Sequence, residues 1–140
     1  MRLDGQMRWP VSVKGVVLDE DGRVLLGRND RDEWELLGGR LESGESPDEA
    51  VRREIREEAG LDVRPVLLLR TWVFDPVPGS SVLIGTFGCE LRGGTLVASS
   101  EHSCVRFHEP RAVAALPLPE GYRTDIGLWR GARDSRPHNG

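Results

Sequence analysis

Apolar residues fall in short runs broken by polar turns over the first forty positions, then change period. Val11 to Leu18 (VSVKGVVL) reads as a strand. Asp19-Glu20-Asp21-Gly22 is a turn, and Arg23 to Gly27 reads as a second strand, so the pair is expected to form a hairpin. A polar loop from Arg28 to Glu33 leads to Trp34, Leu36 and Leu37, then to Gly38-Gly39, where a chain can turn sharply or bring its backbone close to a ligand. From Pro47 the apolar residues Val51, Ile55 and Ala59 recur every fourth position, which predicts a helix from Pro47 to Ala59. Ser46 suits its N-cap, Pro47 its first turn, Glu49 the capping-box position and Gly60 its stop.

Val66 to Phe74 and Val82 to Leu91 read as strands around the Pro/Gly-rich loop Asp75 to Ser80. Further strands are expected at Thr95 to Ala98 and Cys104 to Phe107, and short helices at Glu109 to Leu116 and Tyr122 to Trp129. No internal repeat is visible. Strands on both sides of a central helix, with another helix near the end, predict an α/β fold: a mixed β-sheet sandwiched between helices. The apolar strand faces and the Val51/Ile55/Ala59 stripe need each other for burial.

The central helix also carries Glu54, Glu57 and Glu58, spaced i, i+3 and i+4, so that one edge presents three carboxylates. At 100° per residue Glu58 lies about 20° from Val51 and Glu57 about 120° away, which puts the acids on the margin between core and cleft. Three such charges repel one another, and a divalent cation turns that cost into a site.

Composition limits the partners. At 140 residues the chain holds one domain, expected over 1–130, with a polar tail at 131–140 expected to fray. Formal charge is −4, and no Lys/Arg block has the density of a nucleic-acid tail, which argues against long polynucleotides. A small anionic ligand remains compatible if a metal and local Arg residues offset the acidic background. Cys89 and Cys104 read as buried reduced thiols. No apolar run suggests a signal peptide or membrane span, so the expected compartment is the cytoplasm.

Residues 39–61, GRLESGESPDEAVRREIREEAGL, resemble the Nudix box at every defined position: Gly39, Glu45, Arg53, Glu54, Ile55, Glu57, Glu58, Gly60 and Leu61. The chain is thus identified as resembling the Nudix hydrolase family, with the Nudix fold. The resemblance implies hydrolysis of a nucleoside diphosphate linked to another group, with Mg²⁺ or Mn²⁺. It implies that Glu57 and Glu58 are the principal metal ligands, with the Gly38 carbonyl as an extra oxygen. Glu54 is then a ligand or the water-activating base, Arg53 orients Glu45 or Glu57, and Glu101 joins the metal cluster. One departure stands beside the box: many relatives have Pro before the two glycines, where this chain has Leu37. Leucine supplies a backbone amide and more φ freedom without removing a ligand.

Substrate recognition is less legible. Trp72, Phe74 and Tyr122 offer stacking surfaces, while Lys14, Arg28 and Arg70 offer charge to phosphates. Strict alternation puts Leu68, Arg70, Trp72 and Phe74 on one strand face. His102 adjoins Glu101 and is a candidate proton-transfer or substrate contact; Asp125 is a candidate for recognising a base amide, or a cap or surface residue of the last helix. His108 and His138 form no metal cluster with the cysteines. The leading substrates are nucleoside triphosphates, damaged ones included, and nucleoside diphosphate derivatives such as ADP-ribose. The alternatives are a nonnucleotide phosphate, a nucleotide-linked alcohol, or a nucleotide-binding regulator. A homodimer is expected because small family members often pair.

Overall fold

The computed structural model describes residues 8–97 and 102–135. Its elements are β1 (Val11–Leu18), β2 (Val24–Arg28), β3 (Trp34–Glu35), β4 (Leu37–Arg40), α1 (Pro47–Ala59), β5 (Leu61–Phe74), β6 (Val82–Gly94), β7 (Cys104–His108), α2 (Pro110–Val113) and α3 (Glu120–Asp134). β1 is antiparallel to β4 along one edge and parallel to β6 along the other, and β6 pairs antiparallel with β5. A second wing pairs β2 with β3 and β7. The sheet is therefore mixed, as expected.

The expected hairpin is reduced to a corner. β1 and β2 meet at a single pair, Leu18 opposite Val24. Asp19 fixes that corner by accepting the amides of Asp21 and Arg23 at 3.0 and 2.8 Å. Because β4 and β6 occupy both edges of β1, β2 leaves to pair with β7.

Alternation along β1 divides the core. Val13 and Val17 pack with Val51, Ile55 and Ala59 of α1; Val16 and Leu18 pack with Tyr122, Ile126 and Trp129 of α3. Each large aliphatic side chain taken from water in this way contributes about 1.5–3 kcal/mol. α3 approaches closely because Gly88 has no side chain: a Cβ there would fall 2.3 Å from the Trp129 indole. The helix α1 begins and ends as its sequence dictates. Ser46 donates its amide to Glu49 at 3.0 Å, and Gly60, at φ 72°, returns its amide to Arg56 O at 2.9 Å.

Several boundaries differ from expectation. β5 starts at Leu61, five residues before the expected Val66, and β6 continues to Gly94. Register shifts between Pro65 and Leu67 and between Leu68 and Arg70 interrupt the period of two. Leu68 is consequently separated from Arg70, Trp72 and Phe74 and lines an apolar groove with Val13, Pro47, Leu83 and Phe87 on the α1 side. Thr95 to Val97 is not a strand; the Val97 amide instead donates to Ala59 O at 2.8 Å and closes the end of α1. α2 covers only Pro110–Val113, and α3 runs through Asp134, past the expected domain end at 130. Both cysteines are free, Cys89 in the α1-side core and Cys104 beside the α3-side core. No helix among the described residues is long and apolar enough to cross a membrane.

Candidate active site

Gly38 and Gly39 do not form a loop; they are the middle of β4, opposite Lys14 and Val13 of β1. Gly38 has φ 153°, and a Cβ there would lie 1.9 Å from Val13 O, so the backbone itself excludes every other residue. A Cβ on Gly39 would lie 2.7 Å from the carboxyl carbon of Glu54. The glycine pair thus brings the acidic edge of α1 directly against the β4 backbone.

Each glutamate is held differently. Glu58 is 2% exposed and accepts the Gly38 amide at 3.2 Å, as its position next to the Val51 stripe requires. Glu54 accepts Arg53 Nη1 at 3.0 Å and Glu57 accepts the same nitrogen at 3.2 Å, with Glu57 the more exposed. Arg53 also makes a two-pronged pair with Glu45 at 2.6 and 3.0 Å and donates to Arg40 O at 3.0 Å. The guanidinium therefore ties the loop before α1 to the acidic edge, touching both of the glutamates proposed for it and Glu54 as well. The hydrogen bonds to Arg53 hold the Glu45 carboxyl below the usual carboxylate range.

Carboxylate oxygens beside a side-chain-free backbone suit a hard divalent cation in donor chemistry. Among the described residues, no three His, Cys, Asp or Glu side chains form a ready metal cluster. Arg53 draws Glu54 and Glu57 to itself while Glu58 turns to Gly38. Glu101 lies outside the described residues.

On the opposite, α3-facing side of the sheet, Tyr122 lies edge-on to Trp72 and Phe74, with centroids 5.4 and 5.6 Å away. Tyr122 is buried, so of the three proposed stacking residues it is built into the core, while Trp72 and Phe74 keep partial exposure. Asp125 is fully buried and accepts Arg70 Nε at 2.5 Å, Trp72 Nε1 at 2.9 Å and Thr86 Oγ1 at 2.5 Å. It is neither a cap nor a surface residue, and it engages Arg70, whose guanidinium also donates to Gly121 O at 3.0 Å. Arg28 is exposed at the end of β2 and pairs with Asp32 at 3.3 Å.

Sequence reasoning missed Glu35. Its carboxylate lies 2.9 Å from His102 Nε2 and accepts Asn29 Nδ2 at 3.1 Å. Burial pushes its pKa up, but the His102 hydrogen bond, the Lys14 charge and the Asn29 amide outweigh this and hold it at about 2. The alternation Trp34, Glu35, Leu36 was the available signal: an acid between two core residues faces away from their side of the strand.

The family model of the NUDIX domain matches residues 8–125. A "MutT-like protein" of Streptomyces ambofaciens is 41% identical over 105 residues, covering 74% of this chain and 66% of that protein. An "8-oxo-dGTP diphosphatase" of Proteus vulgaris is 36% identical over 66 residues, 44% of this chain and 59% of that protein. The chain thus spans just under two thirds of the length of the first of these relatives. In three dimensions, a solved "NUDIX hydrolase from Nitrosomonas europaea" superposes with TM-score 0.79 at 19% identity, over 95% of this chain and 99% of that one. With the complete box running from β4 through α1 to the start of β5, Glu54 and Glu58 set against β4, and a domain match over most of the chain, this protein belongs to the Nudix hydrolase family.

Proposed function

We propose that the protein is a metal-dependent pyrophosphohydrolase, cleaving a phosphoanhydride bond in a nucleoside triphosphate or a nucleoside diphosphate derivative. The observation that carries this reading is the packing of Glu54 and Glu58 against Gly39 and Gly38, with Arg53 clamping Glu45, Glu54 and Glu57. Family membership supports the reaction class, and the diphosphatase name of the Proteus relative supports a nucleotide substrate.

In this mechanism Glu57 and Glu58 are the principal ligands of Mg²⁺, for which Mn²⁺ can substitute, with Glu54, Glu101 and the Gly38 carbonyl as further oxygen donors. The bound cation neutralises phosphate charge and lowers the pKa of water. Glu54 is either a ligand or the base that takes the proton of the attacking water; a carboxylate of ordinary pKa, about 4, is a weak base without that assistance. The water oxygen bonds to phosphorus, the bridging P–O bond breaks, and the leaving phosphate takes its electron pair. Arg53 keeps the carboxylates in register without touching substrate. Trp72, Phe74, Tyr122, Arg70 and Arg28 belong to the substrate side, with Tyr122 and Arg70 acting through the wall they build.

This reading places the enzyme in the cytoplasm with its nucleotide substrates. A homodimer is supported by the outer edge of β5, where Leu67 and Leu68 are 46% and 49% exposed. The deciding experiment is a nucleotide panel with product masses, with and without Mg²⁺, repeated for Glu57→Gln and Glu58→Gln. Metal-dependent phosphate or pyrophosphate release that both substitutions suppress is the expected result. Tight nucleotide binding without turnover across the panel would instead favour a regulator.

A further inference from the structure

α1 leaves part of its own side of the sheet uncovered. The strand registers place Val11, Leu83 and Val73 in one row across β1, β6 and β5, and Val13, Gly85 and Thr71 in the next. Val13 belongs to the α1-side core, which fixes the side that these rows face. The following row begins at Gly15, where a Cβ would meet Ile55 and Val51, so the body of the helix lies from there onward. Short of it, between Pro47 and Leu68, runs the apolar groove, with a volume of about 170 Å³. Its margins are open to water: Val11, Leu68 and Val73 are each nearly half exposed.

Gly85 keeps the groove open. It lies inside β6 with ordinary strand backbone, and a Cβ there would meet Leu68 Cδ1 at 3.7 Å and Val13 Cγ1 at 4.0 Å, both comfortable contacts. Gly38 and Gly88 are required because their neighbours leave no room; at Gly85 there is room and no side chain. A glycine inside a strand weakens it, and one that packing does not demand marks a place where something else approaches. The result is a recess directly beside the protruding Leu68, a hole and a knob in one patch. Among the described residues, no charged side chain lines it. The charges at the other end of β5 are matched within the chain, Arg64 with Glu90 at 3.3 Å and Asp62 with Arg52 and Arg56 at 3.1 and 3.0 Å.

We infer that this face is where a second copy of the chain docks, groove against groove about a two-fold axis, the Leu68 of each copy entering the recess over Gly85 of the other. A two-fold contact uses the same patch twice, so the patch must carry its own complement, and Leu68 beside Gly85 does. Its neutrality fits the same partner: two copies meet there without opposing like charges, whereas an acidic or basic partner finds nothing in the groove to read it. A standard interface buries about 800 Å² per partner, a little over half of it apolar. Val11, Leu68, Thr71 and Val73, with the margins of Leu83 and Phe87, offer apolar surface on that order, a few hundred Å². The inference deepens the homodimer proposed above by naming its surface, and it rests on no catalytic residue.

The test is sedimentation velocity of the full chain over a concentration range of about 1 to 500 µM. Wild-type protein should pass from monomer to dimer across it. Leu68→Asp should raise the dissociation constant at least about thirtyfold, the size of an interface hot spot, while Leu128→Asp on the exposed face of α3 should leave it unchanged. Gly85→Val separates docking from folding: the side chain fits the monomer and suits a strand, so the thermal midpoint should hold or rise while the dimer weakens. A dimer that survives both Leu68→Asp and Gly85→Val would overturn this surface and leave the homodimer standing. A wild type that stays monomeric throughout would overturn both. In that case anilinonaphthalene sulfonate fluorescence seen in the wild type and lost in Gly85→Val would assign the groove to a small apolar ligand. Nucleotide turnover by such a monomer would leave the proposed hydrolysis intact, and a dimer without turnover would do the reverse.

Discussion

The carboxyl carbon of Glu54 lies 2.7 Å from the point where a side chain on Gly39 would begin. Two residues fifteen positions apart thus share one volume, and the acidic edge of α1 can reach the β4 backbone only because Gly39 leaves that volume empty. The contact is with the end of a flexible side chain, so a methyl group there would displace Glu54 rather than unfold the strand. Gly39→Ala is expected to lower turnover at least about tenfold, roughly 1.4 kcal/mol of transition-state stabilisation, with little change in the urea midpoint. Steady-state kinetics beside a denaturation curve checks both halves.

Glu57→Gln and Glu58→Gln remove one negative charge each at nearly constant shape. Each is expected to cost at least about tenfold in kcat through a lost transition-state metal interaction. Turnover close to wild type in both variants would count heavily against the proposed site.

Asp125 is fully buried beneath three donors from β5 and β6. Asp125→Ala strands the Thr86 hydroxyl, the Trp72 indole and the Arg70 guanidinium at the foot of α3, and the expected loss is about 3–5 kcal/mol of folding stability. Urea unfolding followed by tryptophan fluorescence measures it. A loss below about 1 kcal/mol would show that the network is not what docks α3 on the sheet.

Gly88 lets the buried Trp129 indole lie on β6. Gly88→Ala puts a methyl group where the ring now sits and is expected to destabilise by about 1–3 kcal/mol through overpacking. A lowered thermal midpoint with unchanged metal binding is the anticipated pair of results.

Glu35 has a folded-state pKa of about 2 against an ordinary value of 4.5. Because the folded value is depressed, its contribution to stability is present above pH 4.5 and is lost as pH falls from there through about 2. The contribution is on the order of 3 kcal/mol. Stability measured between pH 6 and pH 2.5 should fall more steeply in the wild type than in Glu35→Gln. Parallel curves would remove Glu35 from the acid-sensitive groups.

Much of the acidic edge was readable in one dimension because helix geometry is local. Val51, Ile55 and Ala59 fixed which side of α1 turns inward, and Glu58, about 20° from Val51, had to be the buried acid. The face of Leu68 was not readable, because the bulges in β5 arise from pairing with β6 and reverse the parity that alternation assumes. The part played by Arg70 was equally hidden: its partner lies 55 positions away on α3.

By itself the sequence determined the helix, its caps, its three carboxylates and the glycine pair, since capping and 3.6-residue periodicity act over a few residues and leave their marks in order along the chain. Tertiary structure alone decided that Gly38-Gly39 lies in a strand against which Glu54 and Glu58 pack, that β2 leaves β1 for β7, and that Glu35 meets His102. Those contacts depend on which strand edges remain open for pairing and which charges burial forces together, and neither quantity exists until distant segments have met.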